Sequence, residues 1–129
     1  MTRRVIIFCA FIVLLLIAVF VLRKGDLTIH VIAETSSPTS TIHLQMDDET
    51  LFNGEVNSGA YFGEKIEIEN MGVGFHTLKI EAVKDGITYQ KDDFFLFNRT
   101  IIITYFDRPS LEEKPYFDVW RKFGKFLPD

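Results

Sequence analysis

From Leu27 onward, apolar residues fall at every second position, and this alternation constrains the fold more than any other feature. Leu27, Ile29 and Val31 alternate with Thr28 and His30. Ile42, Leu44 and Met46 alternate with Thr41, His43 and Gln45. A period of two puts successive side chains on opposite faces of an extended chain, so each run reads as a strand with one buried face. The pattern recurs in Glu64–Glu69, with Ile66 and Ile68 inward, and in Phe75–Val83, with Leu78, Ile80 and Ala82 inward. A short strand is expected after a turn at Asp47–Glu49. Three further strands are expected at Ile87–Lys91, Phe94–Phe97 and Thr100–Phe106. Gly and Asn residues mark Asn53–Gly63 as a loop and Asn70–Gly74 as a turn, and Asp85-Gly86 is the strongest hairpin signal. About seven short strands with no helical periodicity among them predict an all-β, antiparallel, immunoglobulin-like sandwich over residues 26–107. A small barrel is the structural alternative.

One stretch resembles a known pattern. "VGFHTLKIEAVKDGITY", Val73 to Tyr89, is similar to the G-x-H-x-L-x-[VI]-x-A…G pattern of bacterial immunoglobulin-like and PEGA-type surface modules. Met46-Asp47-Asp48 stands where those modules carry a turn, although the glycine is missing. The resemblance covers Leu27 to Phe106 and implies a non-catalytic module of the cell envelope. The Cys…Trp…Cys spacing of antibody domains is absent.

The segment before the strands is of another kind. Val5–Leu22 holds no charge, no Pro and no Gly. As a helix it would be roughly 27 Å long at about 1.5 Å per residue, close to the roughly 30 Å hydrocarbon core of a bilayer. No Ala-x-Ala cleavage site follows it, and the apolar run continues well past Cys9, unlike a lipid-attachment signal. Residues 1–25 are therefore expected to remain as a single-pass transmembrane anchor spanning residues 5–22. Lipid would be its partner, the N-terminus would be cytoplasmic and the bulk of the chain extracytoplasmic.

Charge narrows the partners. The net charge of −4 hides an asymmetry. After Gly25 there are 10 bases against 18 acids, a balance of 10 − 18 = −8. Such a surface repels phosphate backbones, so nucleic-acid binding is not expected. With Cys9 the lone cysteine, disulfides are not expected. His30 and His43 read as surface residues without a third metal ligand. The acidic pairs around Asp47 and Asp92 read as solvated turns rather than a calcium loop. No phosphate-loop, nucleophile-elbow or zinc-protease motif occurs. Neither catalytic activity nor a cofactor or metal is expected.

The last part, residues 108–129, reads as an amphipathic helix. Ser110 to Glu113 resembles a capping box, Pro115 suits a first helical turn, and Tyr116, Phe117, Trp120, Phe123 and Leu127 fall at helical spacing. These five residues are the candidate partner-binding set, because Trp and Tyr dominate interface hot spots. Packing over an open edge of the sandwich, or lying in a membrane interface, are the competing uses of this segment. The overall expectation is a membrane-anchored binding or structural module. The alternative is a small accessory subunit of a membrane complex, assembling through its anchor helix or its aromatic tail.

Overall fold

The computed structural model describes residues 2–22, 24–59, 63–96, 98–112 and 114–123. A helix, α1 (Arg3–Leu22), leads into eight strands: β1 (Lys24–Thr35), β2 (Thr39–Met46), β3 (Glu49–Asn57), β4 (Glu64–Gly72), β5 (Gly74–Ala82), β6 (Ile87–Phe95), β7 (Arg99–Asp107) and β8 (Tyr116–Phe123). They form two sheets of four, β4-β1-β7-β8 and β3-β2-β5-β6, packed as a sandwich.

The alternation does what the sequence predicts. Leu27, Ile29, Val31 and Ala33 of β1, Ile42 and Leu44 of β2, Leu78 and Ile80 of β5, and Ile101 and Ile103 of β7 are all buried between the layers. Burying each larger aliphatic side chain contributes about 1.5–3 kcal/mol against leaving it exposed. The Asp47-Asp48 turn closes the β2–β3 hairpin with positive φ at both residues (51° and 64°), the conformation that two-residue hairpin turns require. Asp85-Gly86 lies in the β5–β6 connection, where the Gly86 amide donates to the Ala82 carbonyl.

Several expectations are corrected. The sandwich has eight strands rather than about seven: the two expected at Ile87–Lys91 and Phe94–Phe97 are a single strand, Ile87–Phe95, whereas the segment after Pro115 adds one that was not expected. β3 extends to Asn57, into the stretch expected to be a loop. Phe97, the expected end of one strand, lies outside the described residues. The fold is not purely antiparallel. β1 pairs with β4 antiparallel, but with β7 in parallel from Leu27↔Arg99 to Thr35↔Asp107. Alternation fixes which face a residue takes, not which strand lies beside it, so the parallel pair left no mark in the pattern.

Among the described residues the expected C-terminal helix does not form. A short 3-10 turn, Pro109–Leu111, follows β7, and Arg108 stands at its N-cap without a side-chain capping bond. The chain then pairs as β8 with β7, from Phe106↔Tyr116 to Arg99↔Phe123 without a break. Phe117 and Val119 pack against the core, so the segment has period two. Aromatics at 116, 117 and 120 satisfy a helical template by coincidence, whereas Phe117 and Val119 satisfy a strand. Unpaired backbone on β7 makes the strand the better solution, since each residue of β8 gains a ladder partner there.

The transmembrane anchor is likewise not supported. Among the described residues, no helix is long and apolar enough to cross a membrane. Arg3 and Arg4 occupy the first turn of α1, so the helix is not apolar along its whole length. The single-pass localisation with a cytoplasmic N-terminus therefore loses its basis.

Candidate interaction surface

β8 is the edge strand that carries the candidate aromatics, and its pairing with β7 decides where each one points. Residues 117, 119 and 121 face the other sheet, and Tyr116, Asp118, Trp120 and Lys122 face outward. Trp120 is 68 % exposed and Tyr116 42 %. Of the five candidates, these two share the outer face. Phe117 is turned inward, with its ring 4.9 Å from that of Tyr105. The Phe123 side chain and Leu127 lie outside the described residues.

The neighbouring strand enlarges the surface with residues that helical periodicity could not supply. Phe106 stands across from Tyr116, with ring centroids 5.1 Å apart and planes 26° from parallel. The Arg108 guanidinium sits 4.7 Å above the Phe106 ring, within cation–π range. Trp120 donates from Nε1 to Asp118 Oδ2 at 3.0 Å, which fixes the indole beside a carboxylate on the same face. Arg108, Phe106, Tyr116, Asp118 and Trp120 thus make a mixed aromatic and charged strip along one edge of the molecule. The register between β7 and β8 was the missing signal.

On its inner side β8 is tied to the opposite sheet. Arg121 Nε lies 2.7 Å from Asp93 Oδ1 of β6, and Arg121 also donates from a terminal nitrogen to the Tyr89 hydroxyl at 2.8 Å. Only 21 % of the Arg121 side chain and 11 % of the Asp93 side chain are exposed. Asp93 is therefore not the solvated turn residue that the sequence led us to expect. It belongs to an ion pair that bridges the open side of the sandwich between two edge strands. Burial disfavours charge on Arg121, but its bonds to Tyr89 and Asp93 outweigh this and hold its pKa above the ordinary value.

The histidines separate. His30 is 6 % exposed, not a surface residue, because β1 is flanked on both edges and the long side chains of β4 stand beside it (His30 pairs with Lys65). His43 faces outward on the other sheet, where its Nε2 is 3.2 Å from the Thr50 hydroxyl. The two do not converge, and no group of metal-ligating side chains forms among the described residues.

His76 is engaged at both ring nitrogens. Nδ1 is 2.5 Å from Asp47 Oδ2 and Nε2 is 2.8 Å from the Gly72 carbonyl oxygen. Asp47 Oδ1 accepts from the Thr77 amide at 2.8 Å, and the Thr77 hydroxyl donates to Asp92 at 2.6 Å. Both acceptors on His76 demand a proton from it, which favours the imidazolium. Burial alone would lower the His76 pKa, but Asp47 and the Gly72 carbonyl raise it overall. Burial alone would raise that of Asp47, but His76 and the Thr77 amide lower it overall.

The sign of the pH dependence follows. The raised His76 contributes stability fully below its unfolded pKa of 6.5, lost as pH rises through the folded value. The lowered Asp47 contributes above its unfolded pKa of 3.8, lost as pH falls through the folded value. The pair therefore stabilises most between these two values. Since Asp47 is about half exposed, the effect is screened to less than about 1 kcal/mol. Urea midpoints are expected to fall as pH rises from about 6 to 8, and the slope should flatten in His76→Gln. An unchanged slope in that variant would assign the dependence elsewhere.

Concave features are small or shallow. A cavity of about 60 Å³ at the pole where β1 ends is lined by Thr35, Ser40, Thr41, Lys84, Asp85 and Tyr105, among others. The Tyr105 hydroxyl donates there to the Asp85 carboxylate. Burial, and then that carboxylate, push the phenol's pKa well up. The volume is far below the roughly 300 Å³ at which small-molecule pockets begin. A wider depression of about 340 Å³ beside Glu34, Ser58 and Arg108 is open to solvent.

No family model matches the chain, and no curated protein matches it either.

Proposed function

We propose that this chain is a non-catalytic interaction module, a β-sandwich that binds a protein partner through the outer face of β8. The observation that carries this reading is Trp120, 68 % exposed in the middle of an edge strand. A large aromatic held rigidly in water has apolar area to give up on binding and little entropy to lose, which is why such residues anchor interfaces. Tyr116 and Phe106, with Arg108 above them, extend the anchor along the strand. The acidic balance of the chain after Gly25 argues for a protein partner and against nucleic acid. The small volume of the polar cavity and the lack of a metal-holding cluster among the described residues support a binding role over catalysis.

A photo-reactive amino acid placed at position 120 of the full chain, expressed in its native host, tests the reading. Discrete protein adducts are expected from position 120. A probe at Thr88, exposed on β6 at the edge of the other sheet, should give none. Equal labelling from both positions, or no adduct from position 120, would overturn the proposal.

A further inference from the structure

The four edge strands of the sandwich are not protected equally. An open edge presents unpaired N–H and C=O groups, and natural sheets commonly guard it with bulges, inward charges or runs of like charge. The ladder between β3 and β2 is broken at Leu44/Gln45. β6 turns Asp93 into the interlayer space and carries Asp92 beside it. β4 repeats Glu64, Glu67 and Glu69 along its length. β8 also turns a charge inward, Arg121, but there it is neutralised by Asp93. Its eight residues contain no Pro and no Gly, and its pairing with β7 runs without a register shift. Among the described residues, β7 is its one strand neighbour.

The sequence of that strand is also complementary to itself. Phe117–Phe123 reads FDVWRKF, with Trp120 at its centre. In an antiparallel pair of two copies centred on Trp120, residue numbers facing each other sum to a constant. Trp120 then faces Trp120, Asp118 faces Lys122, Val119 faces Arg121, and Phe117 faces Phe123. The outward residues are the even-numbered ones, so both Asp118–Lys122 pairs fall on the solvent face, on either side of the two tryptophans. Directly opposed opposite charges and aromatic pairs are the favourable cross-strand combinations. Shifting the register by two residues loses both charge pairs and sets Trp120 against Asp118 or Lys122. One alignment is thus selected.

We propose that the partner of β8 is a second copy of this chain, joined through antiparallel β8–β8 pairing about a two-fold axis at Trp120. The two β4-β1-β7-β8 sheets become one continuous sheet, and the interface is isologous, each copy presenting the same strand. This rests on the reading of β8 as the docking element and names its occupant. The contact is small, a pair of strands and their aromatics, so the association is concentration-dependent rather than permanent.

The test uses the full chain. Trp120 is the sole tryptophan, so its emission should shift to the blue as protein concentration rises, and sedimentation should report a monomer–dimer equilibrium over the same range. Asp118→Lys places like charges across the axis twice and should weaken association about tenfold. Adding Lys122→Asp to Asp118→Lys restores opposite charges in reversed order and should restore association. In a Cys9→Ser background, Trp120→Cys should oxidise readily to a disulfide-linked dimer, while Asp118→Cys, displaced from the axis, should not.

Association driven by the exposed apolar side chains of α1 would respond to neither charge change, and that outcome overturns the proposal. So does a chain that stays monomeric at every accessible concentration. If position 120 captures a different protein while the chain remains monomeric, the self-pairing fails and the broader reading of β8 stands. If position 120 captures nothing and the chain is monomeric, both fail. Circular dichroism of each variant, unchanged because residues 118 and 122 are exposed, separates lost association from lost folding.

Discussion

Gly63→Ala is expected to destabilise the sandwich by more than about 3 kcal/mol, at the severe end of single substitutions. Gly63 precedes β4 with φ of +57°, and a Cβ built on it falls 1.8 Å from the Val31 carbonyl oxygen and 2.7 Å from its carbon. The obstacle is backbone, not the movable end of a side chain. Val31 sits at the centre of the buried β1 and pairs with both Glu64 and Ile103. Any accommodation must move β4 away from β1 or displace β1 from the core. Left-handed strain adds a smaller cost of about 1 kcal/mol. Chemical denaturation measures the total. Gly59→Ala is the control, since Gly59 also has positive φ (+77°) but nothing within 4 Å of the added atom. Similar losses for the two variants would assign the effect to backbone conformation alone and refute the close approach.

Arg121→Ala is expected to cost about 3 kcal/mol, because breaking one side of a buried ion pair leaves the other charge without compensation. Asp93, 11 % exposed, is the group left behind. For a domain of this size the loss corresponds to a melting temperature lower by roughly 10–20 °C. Replacing both partners gives a different result. Arg121→Met with Asp93→Leu keeps the volume, removes both charges and should recover most of the loss, as apolar replacements of buried pairs commonly do. If the double variant were as unstable as Arg121→Ala, the lost component would be the bond to Tyr89 and the packing of the arginine stem. The comparison bears on β8 in particular, since this pair and the Phe117 and Val119 contacts hold its inner face to the rest of the molecule.

These two residues also mark the limits of what the sequence discloses. The buried faces of β1, β2, β5 and β7 were legible in the chain because alternation depends only on neighbouring residues. The Asp47 turn and the β5–β6 hairpin were legible for the same reason. Asp93 was misread as a solvated turn residue because its partner lies far away in sequence, on a strand that itself looked helical. β8 was misread because four aromatics in eight residues fit two periods, and Val119, the residue that decides between them, is the least conspicuous of the set. Tyr116 and Trp120 were found as candidates from residue type alone. Phe106 and Arg108 were missed, since only the ladder between β7 and β8 brings them alongside.

The parallel pairing of β1 with β7 bears on how the molecule is made. On synthesis, β2, β3, β5 and β6 find their neighbours within a few dozen residues, through hairpins and one short crossing. β1 emerges first of all the strands, yet one of its edges has no mate until β7 follows, some seventy positions later. Closing so long a loop is entropically expensive and slow. During that interval the most deeply buried ribbon of the sandwich waits half-sheltered, and the nascent chain is at its most vulnerable to wrong company.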